Sequence, residues 1–124
     1  MGTAKLRPAA AEAREDVADL VYAKFMSGFA DPTRLRIIRF LLDGPRAVGE
    51  IVAYLGMSQS RVSNHLACLR WCGYVDTERR GRTVLYRLTD RRIRKILQLA
   101  QAVVADNASH IAACTRLPAV GEPS

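Results

Sequence analysis

Two runs of apolar residues at helical spacing, separated by a single glycine, constrain this chain more than any other feature. Val48, Ile51, Val52 and Leu55 recur at steps of one, three and four, Gly56 follows, and Ser58 opens a second run in which Val62, Leu66 and Leu69 keep helical spacing. Apolar residues at such steps line one face of an α-helix. Glycine accepts the left-handed conformation that ends a helix, and serine accepts hydrogen bonds from the unpaired amides that begin one. The spacing predicts a helix over Val48–Leu55 and another capped by Ser58 and continuing to about Cys72. Two helices joined by a three-residue turn centred on Gly56 make a helix-turn-helix. The second is apolar on one stripe only, and Gln59, Ser60, Arg61, Ser63 and Asn64 occupy the rest of its first half.

The flanking segments extend this unit. Gly73 breaks the second helix, Tyr74 to Glu78 alternates with period two, and Thr83 to Leu88 alternates again around Arg79-Arg80-Gly81-Arg82. That pattern is a β-hairpin with a triple-arginine tip, a wing. Upstream, Pro8 suits a first helical turn and Ala9 to Ala23 is rich in helix formers. Val17, Leu20, Val21, Lys24 and Phe25 form a stripe that serves either the core or a subunit interface. Asp31-Pro32 starts a further helix, whose face is Leu35, Ile38, Leu41 and Leu42, and Asp43-Gly44-Pro45 stops it. From Asp90 a last helix is expected to about His110, with Ile93, Leu97, Ala100, Val104 and Ile111 on one seam. Such a seam is a dimerisation element, joining Val17, Leu20 and Val21 of the first helix. The expected fold is mainly α with a β-hairpin wing (α+β), a homodimeric winged helix-turn-helix. Residues 1–15 make an arm and the start of the first helix, 16–110 the DNA-binding and dimerisation domain, and 111–124 a tail carrying Cys114.

Charge points to the partner. The 124 residues carry 19 Lys and Arg against 12 acidic residues, a net charge of +7, which favours a polyanion such as double-stranded DNA. A helix fits the major groove, where amides and hydroxyls read base edges while arginines neutralise phosphates. Gln59, Ser60, Arg61, Ser63 and Asn64, with Ser58 at the cap, are the expected contacts of the helix. Arg79, Arg80 and Arg82 are expected on the backbone or in the minor groove. No window approaches the roughly 18 apolar residues of a membrane span, no apolar run follows Lys5 and Arg7, and Leu6 stands where a myristoylation signal needs Ser or Thr. A soluble, cytoplasmic protein with no membrane partner is expected. No Ser/His/Asp arrangement, paired carboxylate motif or phosphate-binding glycine loop supports an enzyme.

Three cysteines, an odd number without an export signal, argue against a disulfide scaffold and leave metal binding, redox sensing or inert burial. At about 100° per residue, Cys68 and Cys72 fall in a stripe with Arg61 and His65, on the flank of the helix and away from Val62, Leu66 and Leu69. Residues four apart hold their Cβ atoms about 5–6 Å from one another, whereas a disulfide needs about 3.5–4.5 Å. Chelation of a soft cation by two thiolates fits that separation better. Small packing residues remain the alternative.

Ala30-Asp31-Pro32-Thr33-Arg34-Leu35-Arg36-Ile37, Ser63-Asn64-His65-Leu66, and Gly81-Arg82 followed by Val84-Leu85-Tyr86-Arg87-Leu88 closely resemble the ArsR/SmtB family of metal-responsive bacterial repressors, over roughly Lys24 to Val104. The resemblance implies a homodimer that binds an inverted-repeat operator as the apo form and releases it when metal binds. The Cys-Leu-Arg-x-Cys-Gly setting of Cys68 and Cys72 resembles that of the CmtR-type cadmium/lead sensors. By that resemblance Cys114 of the partner subunit completes a three-thiolate site for Cd(II), Pb(II) or Hg(II), and His110 is an additional or substitute ligand. The thiolate site of arsenic-type members has no cysteine here in Val48 to Leu55. The zinc-type site of the last helix is also missing, because Arg92 and Val103 stand where ligands are needed. Two other readings stay open: a thiol redox or persulfide sensor of the same fold, and a small architectural DNA-binding protein with incidental cysteines.

Overall fold

Helix starts and stops follow local chemistry. The computed structural model describes residues 9–117, with side-chain environments from Arg14. Helix α1 spans Ala9–Ser27 and α2 Pro32–Leu41, followed by β1 Arg46–Ala47, α3 Val48–Leu55, α4 Gln59–Trp71, the hairpin β2 Val75–Arg80 and β3 Thr83–Leu88, and α5 Arg92–Ala113. The Asp31 carboxylate accepts from the Arg34 amide at 2.9 Å with Pro32 in the first turn of α2, satisfying an amide that has no intrahelical partner. Glu50 reaches back to accept from the Ala47 amide at 3.0 Å at the start of α3. Gly56, at φ +66 and ψ +30, closes α3 in the left-handed conformation, which glycine adopts without a Cβ clash. Ser58 caps α4 by accepting from the Arg61 amide at 3.3 Å.

The core lies where α2, α3, α4 and the sheet meet. Ile37, Ile38 and Leu41 come from α2, Ile51 and Leu55 from α3, and Val62, Leu66 and Leu69 from α4. Tyr74, Val75 and Ile93 close it. The buried face of α2 differs from the one expected: Ile37 and Thr33 are buried, while Leu35 and Leu42 are half-exposed. Contact with both α3 and α4 turns the helix so that Thr33, Ile37, Ile38 and Leu41 face inward.

The sheet has three strands in the order β1-β3-β2, all antiparallel, with Arg46 opposite Tyr86 and Ala47 opposite Leu85. β1 was not foreseen, because two residues are too few to show alternation. The wing also turns later than expected. Arg80 pairs with Thr83, so only Gly81 and Arg82 make the turn, with Gly81 at φ +62 in the first central position where tight hairpins favour glycine. Arg79 and Arg80 therefore lie on the strand.

Helix α5 runs past His110 to Ala113 and departs from helical geometry at Asn107, whose side chain donates to the Val103 carbonyl at 3.2 Å. The reading of Lys5, Leu6, Arg7 and Pro8, part of the expected arm, and the end of the expected tail fall outside the described residues. Among the described residues, no helix is long and apolar enough to cross a membrane.

Leu66 is fully buried between α2 and the sheet side of the core. Leu66→Ala should lower the free energy of unfolding by about 2–5 kcal/mol, measured by urea denaturation.

Candidate functional site

The stripe Val62, Leu66 and Leu69 holds α4 against the core with none of the three more than 1 % exposed. The opposite face is thereby turned outward, and Gln59, Ser60, Arg61, Ser63 and Asn64 are all exposed. Ser58 uses its hydroxyl as the helix cap and lies 3.4 Å from the Ser60 hydroxyl. His65 turns inward, its Nδ1 4.0 Å from the Asp31 carboxylate that caps α2.

The wing arginines are not equivalent. Arg80 pairs with Glu78 at 3.0 Å, whereas Arg79 and Arg82 carry no ion pair among the described residues. Because neighbours on a strand point to opposite faces, Arg79 and Arg80 leave β2 on opposite sides of the sheet. Arg82 alone occupies the tip.

Cys68 and Cys72 sit at the far end of the same helix, and both are exposed, so neither is a packing residue of the core. Cys72 is the C-cap of α4, its amide donating to the Cys68 carbonyl at 3.0 Å. Both thiols line a groove of about 510 Å³ with Val21, Phe25, Lys24 and Arg34, at the junction of α1, α2 and α4. Cys72 also borders a second groove of about 570 Å³ towards Ile96 and Leu99 of α5. Tyr74 is the wall between them. Its hydroxyl donates to the Phe25 carbonyl. Burial raises its pKa above the ordinary tyrosine value, and the neighbouring Cys72 adds to the shift.

Cys114 is exposed at the C-cap of α5, in extended conformation, and His110 is exposed in the last turn before it. The structure brings Cys68 and Cys72 together and leaves Cys114 and His110 apart from them. Among the described residues of one protomer, no three His, Cys, Asp or Glu side chains converge on a point. Asp90 is engaged elsewhere: Arg92 grips both its oxygens, at 2.7 Å in the closest approach, and holds its pKa down at about 2.

The two expected dimerisation stripes divide. Val17, Leu20 and Val21 are 60–69 % exposed and Val104 is 48 % exposed, so the protomer leaves them open to solvent. Ile93 is buried in the protomer's own core and Leu97 leans on it. Within the protomer those two serve the fold, because the first turns of α5 are the part that packs beside Tyr74. Leu99 and Val103, which were not foreseen, continue the exposed face at 61 % and 58 %.

Comparison with known proteins decides the family. Residues 31–77 match the model for bacterial regulatory proteins of the arsR family. A probable mercury resistance operon repressor of Streptomyces lividans is 45 % identical over 100 residues, 81 % of this chain and 80 % of that protein. The chain belongs to the ArsR family. This ArsR-family protein is a DNA-binding transcriptional regulator and not an enzyme. The solution structure of the cadmium sensor CmtR of Mycobacterium tuberculosis is 42 % identical, covers 81 % of this chain and 98 % of that one, and superposes with a TM-score of 0.58. A homodimeric winged helix-turn-helix domain of Mycobacterium bovis, 27 % identical, covers 87 % and 95 % with a TM-score of 0.65.

Sequence reasoning assigned no role to Tyr74 or to Trp71, which stands between the thiols and is 91 % exposed. Tyr74 read as the first residue of a strand. Its position directly after the helix-ending Gly73 was the available signal, since the residue after such a glycine commonly packs back on the helix it follows.

The ArsR-family geometry makes separable demands on DNA binding. Arg82→Ala at the wing tip should reduce the salt dependence of binding by about 0.9 in the slope of log K against log salt without altering sequence preference. Asn64→Ala on the reading face should lose about 1–3 kcal/mol of discrimination at one base pair. Anisotropy titrations at several salt concentrations, on matched and single-substituted duplexes, measure both.

Proposed function

We propose that this protein is a homodimeric, cytoplasmic repressor that binds an inverted-repeat DNA operator and releases it when a thiophilic cation, Cd(II), Pb(II) or Hg(II), is held by its cysteines. Release would derepress genes of metal resistance or efflux. The exposed Cys68 and Cys72 pair at the end of the reading helix carries this proposal. Two thiols one helical turn apart, on the element that faces DNA, offer soft donors that suit such ions and place them where occupancy can change the setting of that element. Residues 16–110 serve as the DNA-binding and dimerisation unit, with 111–124 bearing the further ligand.

Cys114 of the partner subunit is the proposed third thiolate, with His110 beside it as an additional or substitute donor. A partner is needed because Cys114 does not meet the pair within one protomer. The exposed stripes on α1 and α5 are the surfaces for the second copy, and the Mycobacterium bovis domain described above is a homodimer. The named relatives favour the same effectors, a cadmium sensor and a mercury resistance repressor. In each protomer, thiolates tied to the opposite subunit would restrain the C-terminal end of the reading helix. Half-sites lie about one DNA turn apart, so a change in the spacing or tilt of the two helices lowers operator affinity.

Anaerobic titration of the reduced protein with Cd(II), followed by thiolate-to-metal charge-transfer absorption, tests the site. Saturation is expected near one ion per chain. Cys114→Ser should weaken binding by more than about 100-fold, since loss of even an outer-sphere partner costs some 10- to 100-fold. Absence of a tight charge-transfer band in the unaltered protein would remove the cadmium-type site and favour a redox role for the same thiols.

A further inference from the structure

One side chain fastens the end of α4 to the end of α1. Tyr74 follows the thiol pair by two residues, and the cap of α4 holds it there. The Tyr74 amide donates to the Leu69 carbonyl at 2.9 Å, the Gly73 amide to Arg70 at 3.1 Å and the Cys72 amide to Cys68 at 3.0 Å, with Gly73 at φ +85. This is the hydrogen-bond pattern of a Schellman cap. It makes Cys68, Cys72 and the Tyr74 backbone a single rigid turn, so that a displacement of the sulfurs moves the tyrosine ring with them.

The other end of the ring is anchored in α1. The hydroxyl donates to the Phe25 carbonyl in the last turn of that helix. The ring stacks on Phe25 with centroids 5.5 Å apart and meets Phe29 edge-on at 5.4 Å. Gly28 leaves the hydroxyl its space, since a Cβ at that position would overlap it.

Among the described residues, the most extensive pairings of elements join α2, α3, α4 and the strands, and Val17, Leu20 and Val21 of α1 face solvent. Apart from the aromatic cluster, Arg34 of α2 donates to the Ser27 and Gly28 carbonyls, each at 3.3 Å. Every one of these ties lies at the C-terminal end of α1, where carbonyls lack intrahelical partners. These ties hold α1 at that end, by Arg34 from the α2 side and by Tyr74 from the thiol side.

We propose that Tyr74 is the positioning residue that transmits a displacement of the Cys68 and Cys72 turn to α1, and through the exposed face of α1 to the second copy of the chain. This inference rests on the thiolate reading above and adds to it the route by which the reading helix and the dimer helix change together. Tyr74 contributes no ligand and touches no DNA. Its hydroxyl bond to Phe25 is the link, and its ring contacts alone would let the two helix ends slide.

Tyr74→Phe removes that hydroxyl and keeps the ring. Two measurements on the reduced full-length protein separate its role from that of the site. Cd(II) titration by thiolate absorption should match the unaltered protein, as should affinity of the metal-free form for a duplex selected by the unaltered protein from a random-sequence pool. The factor by which Cd(II) weakens binding to that duplex should fall by roughly 2- to 12-fold, the worth of one intramolecular hydrogen bond. Gly28→Ala crowds the Tyr74 hydroxyl and the adjoining ring carbons from the α1 side and should show at least the same shortfall. A Tyr74→Phe protein with the full metal effect on DNA overturns the inference and leaves the thiolate reading intact. An unaltered protein whose DNA affinity ignores Cd(II) overturns both.

Discussion

The rotational setting of α4 governs what the rest of the molecule can do. Val62, Leu66 and Leu69 are buried beneath α2, α3 and the sheet, and each such side chain contributes about 1.5–3 kcal/mol by leaving water. A turn of one residue about the helix axis, about 100°, would bury Ser63 or Arg61 and expose the leucines. With that angle fixed, the outward polar face and the thiol flank follow from helical geometry. The exposed polar groups proposed to meet DNA thus share with Cys68 and Cys72 one rigid rod whose apolar stripe serves as its bearing.

A second consequence concerns the helices that lie outside the core. Two long elements, α1 and α5, present Val17, Leu20, Val21, Leu99 and Val103 to solvent. A second copy of the chain is the proposed cover. The ties of the last turn of α1 to Arg34 and Tyr74 are the proposed lever of that interface on α4. The departure from helical geometry at Asn107 separates the segment bearing His110 and Cys114 from the part of α5 that packs on the protomer.

Much of this was legible in the residues because local signals agreed with one another. Ser58, Gly56, Asp31 and Pro32 each mark a helix end by a mechanism confined to a few neighbouring atoms, and the helices begin and end at those residues. The flank position of Cys68 and Cys72 followed from helical angles alone. Other features needed tertiary information. β1 exists because β3 offers a free edge to Arg46 and Ala47, and nothing within two residues encodes that. The inward turn of Ile37, and the packing of Ile93 and Leu97 on the protomer's own core, depend on which neighbours each helix meets. Tyr74 was invisible as a link because its partner carbonyl, at Phe25, lies 49 positions away. The convergence of Cys114 on the thiol pair depends on a second chain and remains a proposal.

The proposed coupling of metal and operator is reciprocal: if Cd(II) weakens DNA binding by some factor, DNA must weaken Cd(II) binding by the same factor. The most direct measurement is the Cd(II) affinity of the reduced protein, free and saturated with a selected duplex, by competition with a chelator of known strength. Coupling of about 1–3 kcal/mol, a 5- to 150-fold weaker affinity on DNA, is the expected result. Equal affinities in the two states would contradict a metal-released repressor.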